Sequence, residues 1–168
     1  MATHASRDTT TGKKFEDRIH IGGEGIDLSQ DNLRKYFEKY FPHLLFSLSH
    51  INQWKRDREK FLNGAEVVVS KELKPDEAYF NPELLTLDVY EKKTQHGNGS
   101  VDEKLQTCAF KIVEYRKIAK YLGVPPENVT YTYILDEWFK DPKYKDALEF
   151  VKMTNGCDYM FVEEVEWH

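Results

Sequence analysis

The stretch Pro75–Lys93, PDEAYFNPELLTLDVYEKK, carries two acids and a lysine whose types and order suit one kind of chemistry. Asp76 and Glu91 offer hard carboxylate oxygens, which suit Mg²⁺ and leave it several waters of its own. Water bound to such an ion gives up a proton more readily and becomes a better nucleophile. Lys93, two residues after Glu91, adds an ammonium that orients the water and offsets charge building on a phosphate. Taken alone the pattern is common, and an ordinary charged surface hairpin satisfies it equally well.

For these groups to meet, the chain between them must turn back on itself. Asn81-Pro82-Glu83-Leu84 suits a type I turn, with Asn first and Pro second. Ala78-Tyr79-Phe80 before it and Leu84–Tyr90 after it are rich in strand formers. Pairing Asn81 with Leu84 sets Asp76 opposite Val89 and makes Glu91 its diagonal neighbour, about 7–8 Å away on the same face. Alternation points Lys93 with Glu91 and turns Lys92 away from them. Replacing Lys92 is therefore expected to be far milder than replacing Lys93.

The lysine is followed by Thr94-Gln95, a short connector and Gly99-Ser100-Val101-Asp102-Glu103-Lys104-Leu105-Gln106-Thr107. The whole run, PD…EKKTQ…GSVDEKLQT, resembles the PD-(D/E)XK, or restriction-endonuclease-like, superfamily, and within it the small Type II restriction enzymes. The resemblance is strongest from Lys74 to Tyr115. It implies metal-dependent phosphodiester hydrolysis, with Asp76 and Glu91 as metal ligands, Lys93 as the catalytic lysine, Mg²⁺ as cofactor and Mn²⁺ as a substitute. It also implies a restriction-endonuclease-like α/β sandwich, a mixed central sheet flanked by helices, as one nuclease domain over residues 1–168.

Composition agrees without deciding. A chain of 168 residues, 40% apolar and 14% aromatic, can bury a core and is not a disordered segment. It has no apolar run of membrane-span length and no leader-like start, so a cytoplasmic location is expected. Cys108 and Cys157 read as reduced core residues. A net charge of −5 is awkward for a DNA enzyme; site carboxylates account for part of it, and basic residues would have to gather on one face.

Along the chain, residues 1–14 read as a flexible terminus. Gly22-Gly23-Glu24-Gly25 lacks the Lys and Ser or Thr of a phosphate-binding loop and reads as a turn. Ser29 is the expected N-cap of a helix to Tyr40, ended by Pro42. A second helix is expected over residues 50–62. Its Lys55, Arg56 and Arg58 are DNA-contact candidates against the simpler reading of a solvated face, and Glu59 is a candidate accessory acid. Residues 65–70, AEVVVS, read as the first core strand. Gln95 is an accessory candidate; His96 and Asn98, in the connector, are DNA-contact candidates. Ser100 and Glu103 form a capping box for one helix running to a stop at Gly123. On it Lys104 and Gln106 are accessory candidates and Lys111 a DNA contact. Val129–Leu135 reads as a half-buried strand, Lys143–Met153 as a helix and Asp158–Val162 as a final strand.

The expectation is thus a Mg²⁺-dependent endonuclease, most simply a Type II restriction enzyme cutting a short double-stranded DNA sequence as a homodimer. Such an enzyme would be accompanied by a matching DNA methyltransferase. A repair or junction nuclease of the same fold, and a non-catalytic DNA-binding or partner subunit, are the alternatives.

Overall fold

The computed structural model describes residues 15–46, 64–95 and 101–164. The expected flexible terminus, the helix over 50–62 with Lys55, Arg56, Arg58 and Glu59, and the connector residues His96 and Asn98 lie outside them, as does Ser100 of the capping box.

Two strands, β4 (Glu77–Asn81) and β5 (Thr86–Lys93), form the expected antiparallel hairpin. Its register is two residues off the one read from the turn: Asn81 pairs with Thr86 and Glu77 with Tyr90, while Val89 faces Ala78 rather than Asp76. The cause is the Asn81 side chain. Its Oδ1 accepts from the amides of Glu83 and Leu84, both at 3.0 Å, and Leu85 then turns through a left-handed φ of 52°. Pairing resumes only at Thr86. A shift of two leaves every side chain on its expected face, where a shift of one would have inverted them all.

Among the described residues, the hairpin sits in a five-stranded mixed sheet of order β1-β4-β5-β6-β7, in which β1 is Ile26–Asp27, β6 is Val129–Leu135 and β7 is Cys157–Phe161. β1 pairs antiparallel with β4 and β4 with β5; β5, β6 and β7 are parallel. The helices are α1 (Asn32–Tyr40), α2 (Val101–Leu105), α3 (Cys108–Tyr121) and α4 (Lys145–Met153). One face of the sheet, with Ala78, Phe80, Leu87, Val89, Tyr131 and Tyr133, shares the main core with Cys108, Ile112, Tyr115 and Ile118 of α3. The other face carries Ile134 against Phe15 and Ile19, from a helical turn at residues 15–18 and the chain after it. β6 is therefore covered on both sides and not half-buried: of its residues only Thr130 is exposed. That is the usual condition of a parallel strand inside an α/β sheet.

Four other expectations change. Residues 65–70 contribute only Glu66–Val67 (β3), which pairs in parallel with Leu44–Leu45 (β2) in a separate two-stranded sheet. Val68 and Val69 reach the core without strand geometry. Ser29 does not cap α1 with its side chain; its Oγ accepts from the Ala78 amide at 3.1 Å, and Asp31 stands at the cap position paired with Lys74 at 2.9 Å. The long helix breaks at Gln106 and Thr107, where Thr107 Oγ1 donates to Lys104 O at 2.7 Å. Finally, the glycine run is a close strap along β4. A Cβ on Gly25 would lie 2.2 Å from the Phe80 carbonyl oxygen, and one on Gly23 2.5 Å from the Tyr79 ring.

One edge of the sheet is the short β1, the other β7. Its Asp158 side chain accepts from the Tyr159 amide at 2.7 Å, and Glu164 accepts from the Phe161 amide at 2.9 Å. Cys108 and Cys157 are buried free thiols, as expected, and burial pushes the Cys157 thiol up to about 12. Among the described residues no helix is long and apolar enough to cross a membrane.

Candidate functional site

Asp76 lies in a bend one residue before β4, and carrying the register one step past the Glu77–Tyr90 pair puts it level with Glu91. That continuation moves the two acids from the diagonal relation read from the turn toward a facing one, which in a regular pair is about 4.5–5.5 Å between β-carbons instead of 7–8 Å. Glu91 and Lys93 stand on the same face of β5, and Lys93 Nζ donates to Glu91 Oε1 at 2.9 Å. Asp76 Oδ2 accepts from the Lys92 amide at 2.7 Å. Burial, then the Glu91 charge, raise the Asp76 carboxyl to about 7, against the pull of that amide and of Lys93. The structure therefore brings Asp76, Glu91 and Lys93 together, two of them as crowded carboxylates.

A third carboxylate approaches from an element that sequence reasoning passed over. Glu16, on the helical turn at 15–18, feels the charges of Lys93 and Glu91, and its own charge acts on Asp76. Burial is the main reason its carboxyl is raised. The signal was present: Phe15 and Ile19 stand four apart and mark one face of a helical turn. A cleft of about 280 Å³ is lined by Glu16, His20, Gln30 and Asp76 together with Glu77 and Lys92 of the opposite face, and not by Glu91 or Lys93. Beneath Glu91 lie three tyrosines. Tyr115 stacks on Tyr131 with centroids 5.8 Å apart, and Tyr131 meets Tyr133 edge-on at 5.2 Å. Burial and the Glu91 charge keep the hydroxyls of Tyr115 and Tyr131 protonated far above neutral pH.

Behind the site, on the opposite face of the same hairpin, Glu77 and Lys92 form a buried ion pair at 2.8 Å. Glu77 also accepts from the Ile21 and Gly22 amides and from Tyr79 Oη at 2.6 Å. Burial pushes Glu77 up, but the bonds from Lys92, Tyr79 and these amides outweigh it and hold the carboxyl below its ordinary value. Lys92 points off the site as alternation requires. It is not a mild surface position, however: it is 6% exposed and donates to the carbonyls of Glu16 and Ile19. Glu77 is the second residue missed, although the alternation that separates Asp76 from it also pairs it with Lys92.

Of the remaining candidates, Gln95 is buried just past β5, Lys104 and Gln106 are exposed around the break between α2 and α3, and Lys111 is half-buried on α3. The Lys104 carbonyl accepts from Tyr133 Oη at 3.1 Å, which ties the end of α2 to the tyrosines. The structure gives this backbone a role without bringing the Lys104 side chain to the carboxylates.

Among the described residues no three His, Cys, Asp or Glu side chains already surround a point as a metal site. What fits a divalent cation is the donor chemistry. Asp76 and Glu91 supply hard oxygens, and of the two causes that raise the Asp76 carboxyl, burial first and the Glu91 charge second, such an ion relieves the second. No protein-family model matches the chain, and no match is found among characterised proteins or solved structures.

Proposed function

We propose that the protein is a Mg²⁺-dependent DNA endonuclease of the PD-(D/E)XK kind, most simply a Type II restriction enzyme. The observation that carries this reading is the convergence of Asp76, Glu91 and Lys93 on one face of one hairpin, with the acids crowded and the lysine bonded to one of them. Asp76 and Glu91 would hold the cation, with Mn²⁺ as a substitute, and Glu16 takes the accessory place for which the sequence suggested Glu59. When bound, the ion would lower the pKa of a water it holds and so supply a better nucleophile. The rest falls to the chain's own groups. Lys93 Nζ, already 2.9 Å from Glu91, is placed to orient the attacking water and to offset charge on the phosphate. The buried tyrosines stay neutral and make a floor that keeps bulk water from Glu91. Cutting both strands would most simply use a homodimer, because two-fold symmetry matches two antiparallel strands. A protective DNA methyltransferase would then be its partner activity.

The test is digestion of unmethylated phage DNA by the purified full chain with Mg²⁺, with Asp76→Ala as control. Discrete bands that vanish in the variant support a restriction enzyme. A smear that vanishes points to a non-specific or repair nuclease. DNA binding without cutting in either Mg²⁺ or Mn²⁺ overturns the enzymatic reading in favour of a non-catalytic module.

A further inference from the structure

The helical turn that carries Glu16 is too short to be stable alone, since isolated helices below about 12–15 residues are marginal in water. Its hold on the sheet comes from two sources. Phe15 and Ile19 pack against Ile134. The more directional hold is the ion pair behind the site. Lys92 Nζ donates to Glu16 O at 3.1 Å and to Ile19 O, and Glu77 accepts from Ile21 N and Gly22 N at 2.9–3.0 Å. One charge pair thus gathers backbone donors and acceptors from residues 16 to 22. A buried pair of this kind adds little net stability over apolar residues of similar volume, so its bonding pattern is the more telling property. Those bonds hold the backbone that carries Glu16, which lines one cleft with Asp76.

We propose that the Glu77–Lys92 pair is a positioning latch: from the opposite face of the hairpin it holds Glu16 beside the Asp76–Glu91–Lys93 cluster, and so sets the cluster's affinity for a divalent cation. The latch touches no ligand. The proposal rests on the reading of Asp76 and Glu91 as metal-binding groups and names a control on that same site.

Two measurements on the full chain test it. Hydrogen exchange followed by mass spectrometry reads the latch itself. Lys92→Met should speed exchange across residues 16–22 while β6 stays protected; unchanged exchange overturns the proposal whatever the site binds. Free Mn²⁺, followed by its electron paramagnetic resonance signal, reads the consequence. Groups that orient metal ligands from behind change affinity about ten- to a hundredfold, and a loss in that range is expected for Lys92→Met. Glu16→Gln should lose a similar factor, and the double variant should be no weaker than the weaker single, because Lys92 acts through Glu16. Losses that multiply, or a Lys92→Met that binds Mn²⁺ normally, overturn the latch while leaving the metal site intact. Should Lys92→Met fail to fold, Glu77→Gln, which keeps shape and one acceptor, carries the same comparison. If the native chain binds no Mn²⁺, or Asp76→Asn binds it unchanged, the metal reading itself fails and takes the affinity control with it.

Discussion

The two faces of the β4–β5 hairpin carry nearly the same chemistry and have opposite fates. On one, Asp76 and Glu91 face each other with Lys93 bonded to Glu91, and the Asp76 carboxyl is raised to about 7. On the other, Glu77 meets Lys92, two backbone amides and a tyrosine hydroxyl, and its carboxyl is held below its ordinary value. The residues are neighbours in sequence, Asp76-Glu77 and Lys92-Lys93, so composition and local propensity do not separate them. Alternation does. It sends one acid and one lysine to a closed set of partners and leaves the other acid and lysine with one carboxylate too many. A satisfied buried pair is structural material; an unsatisfied one invites a cation.

The largest effect expected from this difference is on stability. Lys92→Ala strands Glu77 as a buried charge and should cost about 3–5 kcal/mol, a fall in Tm of about 10 °C. Lys93→Ala, at a quarter-exposed position, should cost less than about 1 kcal/mol. Thermal unfolding of the two variants decides; equal losses would break the contrast between the faces.

Cleavage should show the reverse order. Lys93→Ala should lower the rate about a hundred- to a thousandfold while DNA is still shifted in a gel. Lys92→Ala, assayed at a temperature where it is folded, should cut better than Lys93→Ala. Finding Lys93→Ala active and folded Lys92→Ala dead would mean that the catalytic face has been assigned the wrong way round.

The third expectation concerns pH. Asp76 is raised in the folded chain, from an ordinary value near 3.8 to about 7, so between these values the folded state binds more protons than the unfolded one. Its contribution therefore falls as pH rises from 4 to 7 and stays lost above that. Asp76→Asn should remove this slope, gaining stability over the native chain at pH 8 and little at pH 4. Mg²⁺ or Mn²⁺ at pH 8 should raise the Tm of the native chain and leave the variant unchanged. A native chain without this pH slope would mean that the Asp76 carboxyl is neither buried nor beside the Glu91 charge as the structure has it.

The smallest effect is a control on the hairpin itself. Leu85 is turned through a φ of 52° and is 41% exposed, a conformation that glycine adopts without strain. Leu85→Gly should be neutral to stabilising by about 1 kcal/mol in chemical denaturation, with cleavage unaltered. A loss of cleavage would show that the loop does more than set the register.

Much of the site was legible because its logic is local. Strand alternation places Asp76, Glu91 and Lys93 on one face, and an error of two in the register could not move them off it. What escaped depends on partners far away in the chain. Nothing near Ser29 signals that its hydroxyl goes to Ala78 instead of a helix end. Nothing in AEVVVS tells that Glu66 pairs with Leu44 outside the main sheet. The Glu16 approach requires knowing that the N-terminal segment packs beneath Ile134, a contact across more than a hundred residues. The continuous helix after Val101 failed for a similar reason. Its apolar repeat is genuine on α3, but Lys104 O is claimed by Tyr133 and Thr107, and the helix breaks beside them.

The dressing of β7 has a consequence for how copies of this chain can meet. In a parallel sheet the outward amides of the last strand are what an incoming strand would use. Here the amides of Tyr159 and Phe161 are already taken by Asp158, itself paired with Lys152, and by Glu164. A bare border of this length templates runaway strand addition, the route to fibrils; on this one two of the amides that would start it are occupied. A two-fold assembly that joined sheets across β7 would first have to displace both carboxylates from these amides.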